Sequence, residues 1–95
     1  LPMIRSFLDA NAQRLFLRER VKKLDRQLQR AGLRKLTLLD AAESLDDLRA
    51  IPGNRLEKLV GDRAGQYSIR INDQWRVCFR WTTAGPADVE IVDYH

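Results

Sequence analysis

The chain is predicted to be an α+β domain, with N-terminal helices packed on one face of a small, mainly antiparallel sheet. Three observations carry this prediction. Apolar residues recur at helical spacing in the first half, and they alternate with polar residues in the second. The strand-like runs are joined by connections too short to hold crossover helices. Helices first and strands afterwards, within 95 residues, make one domain with one modest core.

Each element has its own signal. "MIRSF", Met3 to Phe7, is a short first strand, and Asp9 is placed to cap a helix that begins at "ANAQRLFLRE". From Val21 to Ala42 the residues Val21, Leu24, Leu28, Ala31, Leu38 and Ala42 form an apolar stripe, predicting one long helix. Gly32 is its weak point, where a bend or break is expected. Ser44 followed by Asp47 resembles a capping box, which makes "SLDDLRAI" a third helix. "PGN", Pro52 to Asn54, ends the helices. The strands then read "RLEKLV", "QYSIRI", "QWRVCFRW" and "DVEIVDYH", separated by "GDRAG", "ND" and "TTAGPA". The domain is expected to run from 3 to 95, with Met3 the natural start and Leu1 and Pro2 an expression remnant.

Strand alternation divides the second half into two faces. Trp75, Val77, Phe79 and Trp81, with Tyr67, Ile69, Ile71, Val89 and Ile91, are assigned to the helix-covered core. The opposite face then receives Lys58, Arg70, Arg76, Arg80 and Tyr94. Any one of these cations is adequately explained by solvation; together with a phenol they suit phosphate, because guanidinium offers paired planar donors. A second basic run lies on the helices: Arg14, Arg18, Arg20, Lys22, Lys23, Arg26, Arg30, Arg34 and Lys35, opposed only by Glu19 and Asp25. Phe16 is the sole aromatic there, so base stacking is not expected, and a solvated face competes with sequence-blind binding to an RNA backbone.

Composition narrows the chemistry. Seventeen Lys+Arg against 13 Asp+Glu tilt the chain toward anionic partners. Cys78 is the single cysteine and His95 the single histidine, so neither an intramolecular disulfide nor a His/Cys zinc site can be assembled. There is no glycine-rich phosphate loop and no nucleophile elbow. Carboxylates for a two-metal nuclease do not converge; Asp46 and Asp47 instead suit the first turn of a helix. No cofactor or metal is therefore expected. No apolar run approaches the roughly 20 residues of a membrane span, and a cytoplasmic location without membrane partners is expected.

"PGNRLEKLVGDRAGQYSIRINDQWRVCFRW", followed by "DVEIVDYH", resembles the HigB branch of the RelE superfamily of bacterial toxins. The similarity covers Met3 to His95, and its most specific parts are "GDRAGQYSIRINDQWR" and "VDYH". The resemblance implies a curved, RelE-like sheet and a ribonuclease that enters the ribosomal decoding site and cuts messenger RNA without metal. It further implies neutralisation by a HigA-like helix-turn-helix antitoxin, with operator DNA bound only through that complex. Carried over by position, Arg76 contacts the scissile phosphate, while Tyr94 and His95 serve the acid–base steps and substrate placement. His95, titrating near neutrality, is the better proton carrier by type. Lys58, Arg63, Arg70 and Arg80 complete the expected RNA-binding set. Where family members carry Lys or His just before "GDR" this chain has Val60, which predicts weaker activity, with Lys58 two residues earlier as partial substitute. Two other functions stay open: a non-catalytic RNA- or ribosome-binding module, and a co-repressor acting with the antitoxin.

Overall fold

The computed structural model describes residues 3–94; Leu1, Pro2 and His95 lie outside the described residues. Three helices precede a four-stranded antiparallel sheet, as the sequence predicts. They are α1 (Ala10–Phe16), α2 (Arg26–Ala41) and α3 (Leu45–Arg49), followed by β1 (Glu57–Lys58), β2 (Tyr67–Arg70), β3 (Trp75–Thr82) and β4 (Gly85–Asp93) in the spatial order β1-β2-β3-β4. A single 3-10 turn, Gly61–Arg63, interrupts the β1–β2 connection.

The expected caps at Asp9 and Ser44 are present, and Asp25 adds an unexpected one; the three accept from the backbone N–H groups of Asn11, Asp47 and Leu28 respectively, which satisfies donors the helices leave open. The break in the predicted long helix falls at Asp25 rather than at Gly32. Residues 21–24 leave the helix because side chains take over their backbone bonds: Arg20 donates to the Val21 and Leu24 carbonyls, and Gln29 Oε1 accepts from the Val21 N–H at 3.0 Å. Gly32 stays within α2 for a packing reason. A Cβ there would lie 2.9 Å from Leu15 Cδ2, so the missing side chain lets α1 and α2 approach closely.

"MIRSF" supplies an edge rather than a full strand. Phe7 makes one parallel bridge to Val89, and Arg5 N–H donates to the Pro86 carbonyl at 2.8 Å. The segment thereby covers the outer edge of β4, an edge that would otherwise be open to pairing. Gly85 permits the crossing: its φ is +127°, and a Cβ there would sit 2.4 Å from the Met3 carbonyl oxygen.

Leu15, Leu36, Leu39, Leu48, Ile69, Val77, Phe79 and Val89 form the fully buried centre between helices and sheet. The aromatics expected to dominate it do so only in part. Phe79 is buried, whereas Tyr67, Trp75 and Trp81 are half-buried and pack around its rim. No helix among the described residues is long and apolar enough to cross a membrane.

Candidate functional site

The site is built on the sheet face turned away from the helices. Directly opposed residues in antiparallel strands share a face. The register aligns Glu57, Ser68, Cys78 and Glu90 across all four strands, and Arg70, Arg76 and Val92 across three. Arg76 sits near the middle of this surface.

Arg76 departs from expectation: it was placed on an open, solvated face, yet it is only 8% exposed. The burial arises because this face carries its own polar cover from the β1 edge, the loop before it and the C-terminal tyrosine. Arg76 Nε donates to Ser68 Oγ at 2.7 Å, Nη2 donates to the Arg55 carbonyl at 2.5 Å, and Nη1 lies 3.4 Å from a Glu57 carboxylate oxygen. Arg55 offers that carbonyl from a left-handed backbone, φ +45°. The Tyr94 ring lies over the guanidinium, 5.7 Å from centroid to Cζ, a cation–π arrangement. Tyr94 itself is exposed, with its N–H donating to the Gln74 carbonyl at 2.6 Å. The inner edge of the guanidinium is thus fixed, and its outer edge meets a half-exposed carboxylate and a phenol.

The remaining expected residues fare differently. Lys58 is a correction: it pairs with Tyr67, which pairs with Phe79, so it belongs to the core-side parity and not to the face of Arg76. Strand counting failed here because Leu59 is buried and Leu56 packs against the core, a spacing that period 2 cannot produce. Arg63 reaches from the 3-10 turn to Glu90, at 3.4 and 3.5 Å, and donates to Gln66. Arg70 pairs with Asp73, and Arg80 Nε lies 3.4 Å from Asp88. Each of the four arginines on this face is therefore matched to a carboxylate. The face expected to present unpaired cations to phosphate is close to electrically balanced. His95 lies outside the described residues.

Glu57, Ser68 and the Arg55 carbonyl were missed in the sequence. Ser68 could have been found, since it shares parity with Arg70 in "QYSIRI". Glu57 could not, because its place depends on a two-residue strand whose register only the fold supplies.

Cys78 lies beneath this face, fully buried, on the same rung as Ser68 and Glu90. Burial pushes its thiol above the usual range, outweighing the opposing pull of Arg63. The thiol should accordingly be inert in the folded protein. At mildly alkaline pH, a disulfide reagent is expected to label native Cys78 at least about 100-fold more slowly than the denatured chain, a ratio that following released thiolate will check. The hydrogen bond to Glu90 holds the Arg63 guanidinium more firmly protonated than usual. No group of three His, Cys, Asp or Glu among the described residues could hold a metal ion.

A four-stranded antiparallel sheet backed by three helices, with a clamped arginine under a C-terminal tyrosine, has the α+β fold of RelE-like toxins. A chain of the YoeB–YefM complex from Staphylococcus aureus is similar over 100% of this chain and 98% of its own length, with a TM-score of 0.62 at 18% identity, a likeness of fold. The chain belongs to the HigB-like toxins, RelE-like toxins of type II toxin–antitoxin systems, whose family model matches residues 5–95. It is 50% identical over 54 residues to toxin HigB-1 of Vibrio cholerae serotype O1, covering 57% of each chain. An uncharacterized protein of Haemophilus influenzae is 37% identical over 59 residues, 62% of this chain and 58% of that one. The matched stretches span less than two thirds of these relatives.

Proposed function

We propose that the chain is a ribosome-dependent endoribonuclease that cleaves messenger RNA at Arg76. The observation supporting this most directly is the guanidinium fixed on its inner edge by Ser68 and Arg55 while its outer edge faces Glu57 and Tyr94. An entering phosphate displaces the Glu57 carboxylate from Nη1. Glu57, freed but adjacent, accepts the proton as the ribose 2′-hydroxyl attacks phosphorus. Arg76 stabilises the added charge of the five-coordinate phosphorus. The bond to the 5′-oxygen then breaks, and that oxygen takes a proton from Tyr94 or His95. A 2′,3′-cyclic phosphate and a 5′-hydroxyl are left.

The ribosome enters because the chain supplies few proton-transfer groups and a charge-balanced face, so alignment of the 2′-hydroxyl must come from elsewhere. A HigA-like helix-turn-helix antitoxin is the proposed inhibitor, acting in the cytoplasm, and operator DNA is bound only through that complex. The family's type II toxin–antitoxin description supports an antitoxin partner. The test is regulated expression with growth and primer extension scored together, beside cleavage of naked and translated RNA by the purified protein. Cuts confined to translated RNA, without added metal, are expected. Rapid cutting of naked RNA, or growth arrest without cuts, would refute the mechanism.

Val60 supplies a further expectation. It is 83% exposed at the start of the 3-10 turn, so Val60→Lys places an ammonium in solvent and should change stability by no more than about 0.5 kcal/mol. Added positive charge three residues from Glu57 should assist the phosphate. About 1.4 kcal/mol of transition-state stabilisation gives a tenfold faster single-turnover cleavage on programmed ribosomes. A stable variant with no gain in rate would mean that this position does not reach the substrate.

A further inference from the structure

We propose that the helix side of the domain carries a second site for a nucleic-acid phosphate backbone, centred on Arg20, Arg26 and Arg30 and engaging RNA other than the strand held at Arg76. The identity of that RNA ligand rests on the ribonuclease reading; the position of the site rests on charge and geometry.

The charge is in the wrong place for the catalytic face to attract RNA. Its four arginines are each matched to a carboxylate, whereas residues 14–34 hold eight cations against Glu19 and Asp25. Asp25 is already occupied in capping α2. The long-range attraction of the molecule for a polyanion therefore comes from its helix side.

That side is also shaped to receive one. A concavity of about 260 Å³ is lined by Arg20, Arg26, Gln29 and Arg30, with no carboxylate, and none of its three arginines is ion-paired among the described residues. Arg20 is held in advance: its Nη1 donates to the Val21 carbonyl at 2.5 Å, the Leu24 carbonyl at 2.6 Å and Gln29 Oε1 at 2.6 Å. Its Nε and Nη2 have no hydrogen-bond partner among the described residues, which leaves donors for an oxyanion on an already ordered side chain. Arg26 is the first residue of α2, where the helix dipole disfavours a cation, and Arg30 repeats the charge one turn later. Both placements oppose helix stability, and an anion in the concavity relieves both. A neighbouring hollow of about 370 Å³ shares Arg20 and adds Arg14, Lys22 and Lys23, with Glu19 its one carboxylate. The cationic track thus extends past a single phosphate, and no aromatic lines it, which fits a backbone read without regard to base.

The probe is a short RNA duplex, 2′-O-methylated throughout so that it cannot be cut by 2′-hydroxyl attack. Its dissociation constant is measured by fluorescence anisotropy against KCl for the parent, Arg26→Gln, Arg30→Gln, the double variant and Arg49→Gln. Arg49 is the control because its guanidinium is exposed and already paired with Asp46. Each of the first two changes should reduce the slope of log affinity against log salt by about 0.7–0.9, and the double variant by about twice that. Arg49→Gln should keep the parental slope, and the double variant should melt no lower than the parent. An unchanged slope in the double variant, no salt-dependent binding by the parent, or an equal loss in Arg49→Gln would overturn the site. Weakened antitoxin binding with an unchanged duplex slope would assign the surface to an acidic protein and equally overturn it. Failure of the ribonuclease reading would appear separately, as absence of cleavage by the parent, while the slopes still decide this site.

Discussion

Arg76→Ala is expected to abolish growth arrest and to slow cleavage of translated messenger RNA by at least about 100-fold. Removing one preorganised donor from a developing oxyanion typically costs about 2.7–4 kcal/mol of transition-state stabilisation, and Arg76 is the only guanidinium on this face held from three sides. The same substitution is also structural. Ser68, fully buried, loses its partner, and an unsatisfied buried group costs about 1–3 kcal/mol before water enters the space left by the side chain; the Arg55 carbonyl, on an exposed residue, loses its partner at less cost. Melting and cleavage must therefore be measured on the same preparation, at a temperature where the variant is folded. Arg76→Lys separates charge from geometry: an ammonium keeps the positive charge but cannot bridge Ser68, Arg55 and a phosphate at once. It should be more stable than Arg76→Ala and still severely impaired. A folded Arg76→Ala protein cutting at the parental rate would remove the residue from the site, and a fully active Arg76→Lys would reduce its role to charge alone.

The placement of Arg76 marks where sequence reading succeeds and where it stops. Alternation in "NDQWRVCFRW" is a local property, and it correctly separated Val77 and Phe79 from Arg76. It could not say whether the second face was open, because its cover comes from three distant parts of the chain: Arg55, Glu57 and Tyr94. Helix caps at Asp9 and Ser44 were legible because each is a contact between near neighbours. The end of α2 at Asp25 was not, since Arg20 and Gln29 meet across the loop to compete with helical bonds. Matching of arginines to carboxylates was equally hidden: Arg63 and Glu90 are 27 positions apart and meet only across paired strands. Composition gave the net charge and the sequence placed a basic run on the helices, but only the fold reveals that the arginines of the sheet face are each matched to a carboxylate.

Asn54→Leu is expected to destabilise the domain by about 3–5 kcal/mol, a large share of the roughly 5–15 kcal/mol that holds an ordinary domain folded. Asn54 is fully buried; its Oδ1 accepts from Lys35 Nζ, its Nδ2 donates to the Leu48 carbonyl at 3.1 Å, and its own carbonyl accepts from the Arg70 N–H. It therefore joins α2, α3 and β2 directly before the left-handed Arg55 that holds Arg76. Lys35 is only 7% exposed, and burial, followed by the nearby Arg34 and Arg70, already lowers the affinity of its amine for a proton. Replacing Asn54 by leucine leaves that ammonium with no acceptor. The variant's deficit should shrink as pH rises: the unfolded chain keeps the lysine proton up to its ordinary value of 10.5 while the folded form releases it earlier, so alkali favours folding. Cys78 works in the opposite sense, its raised thiol losing stability for the fold above about pH 9, but it is common to every variant and cancels in the difference. Lys35→Met added to Asn54→Leu should recover part of the loss, because the pair then becomes apolar on both sides. Denaturant unfolding of the four proteins, near neutrality and near about pH 10, measures both effects. A deficit below about 1 kcal/mol at neutral pH, or one that the lysine replacement does not reduce, would show that Lys35 finds water and that the link between helix and site is not sustained by this bond.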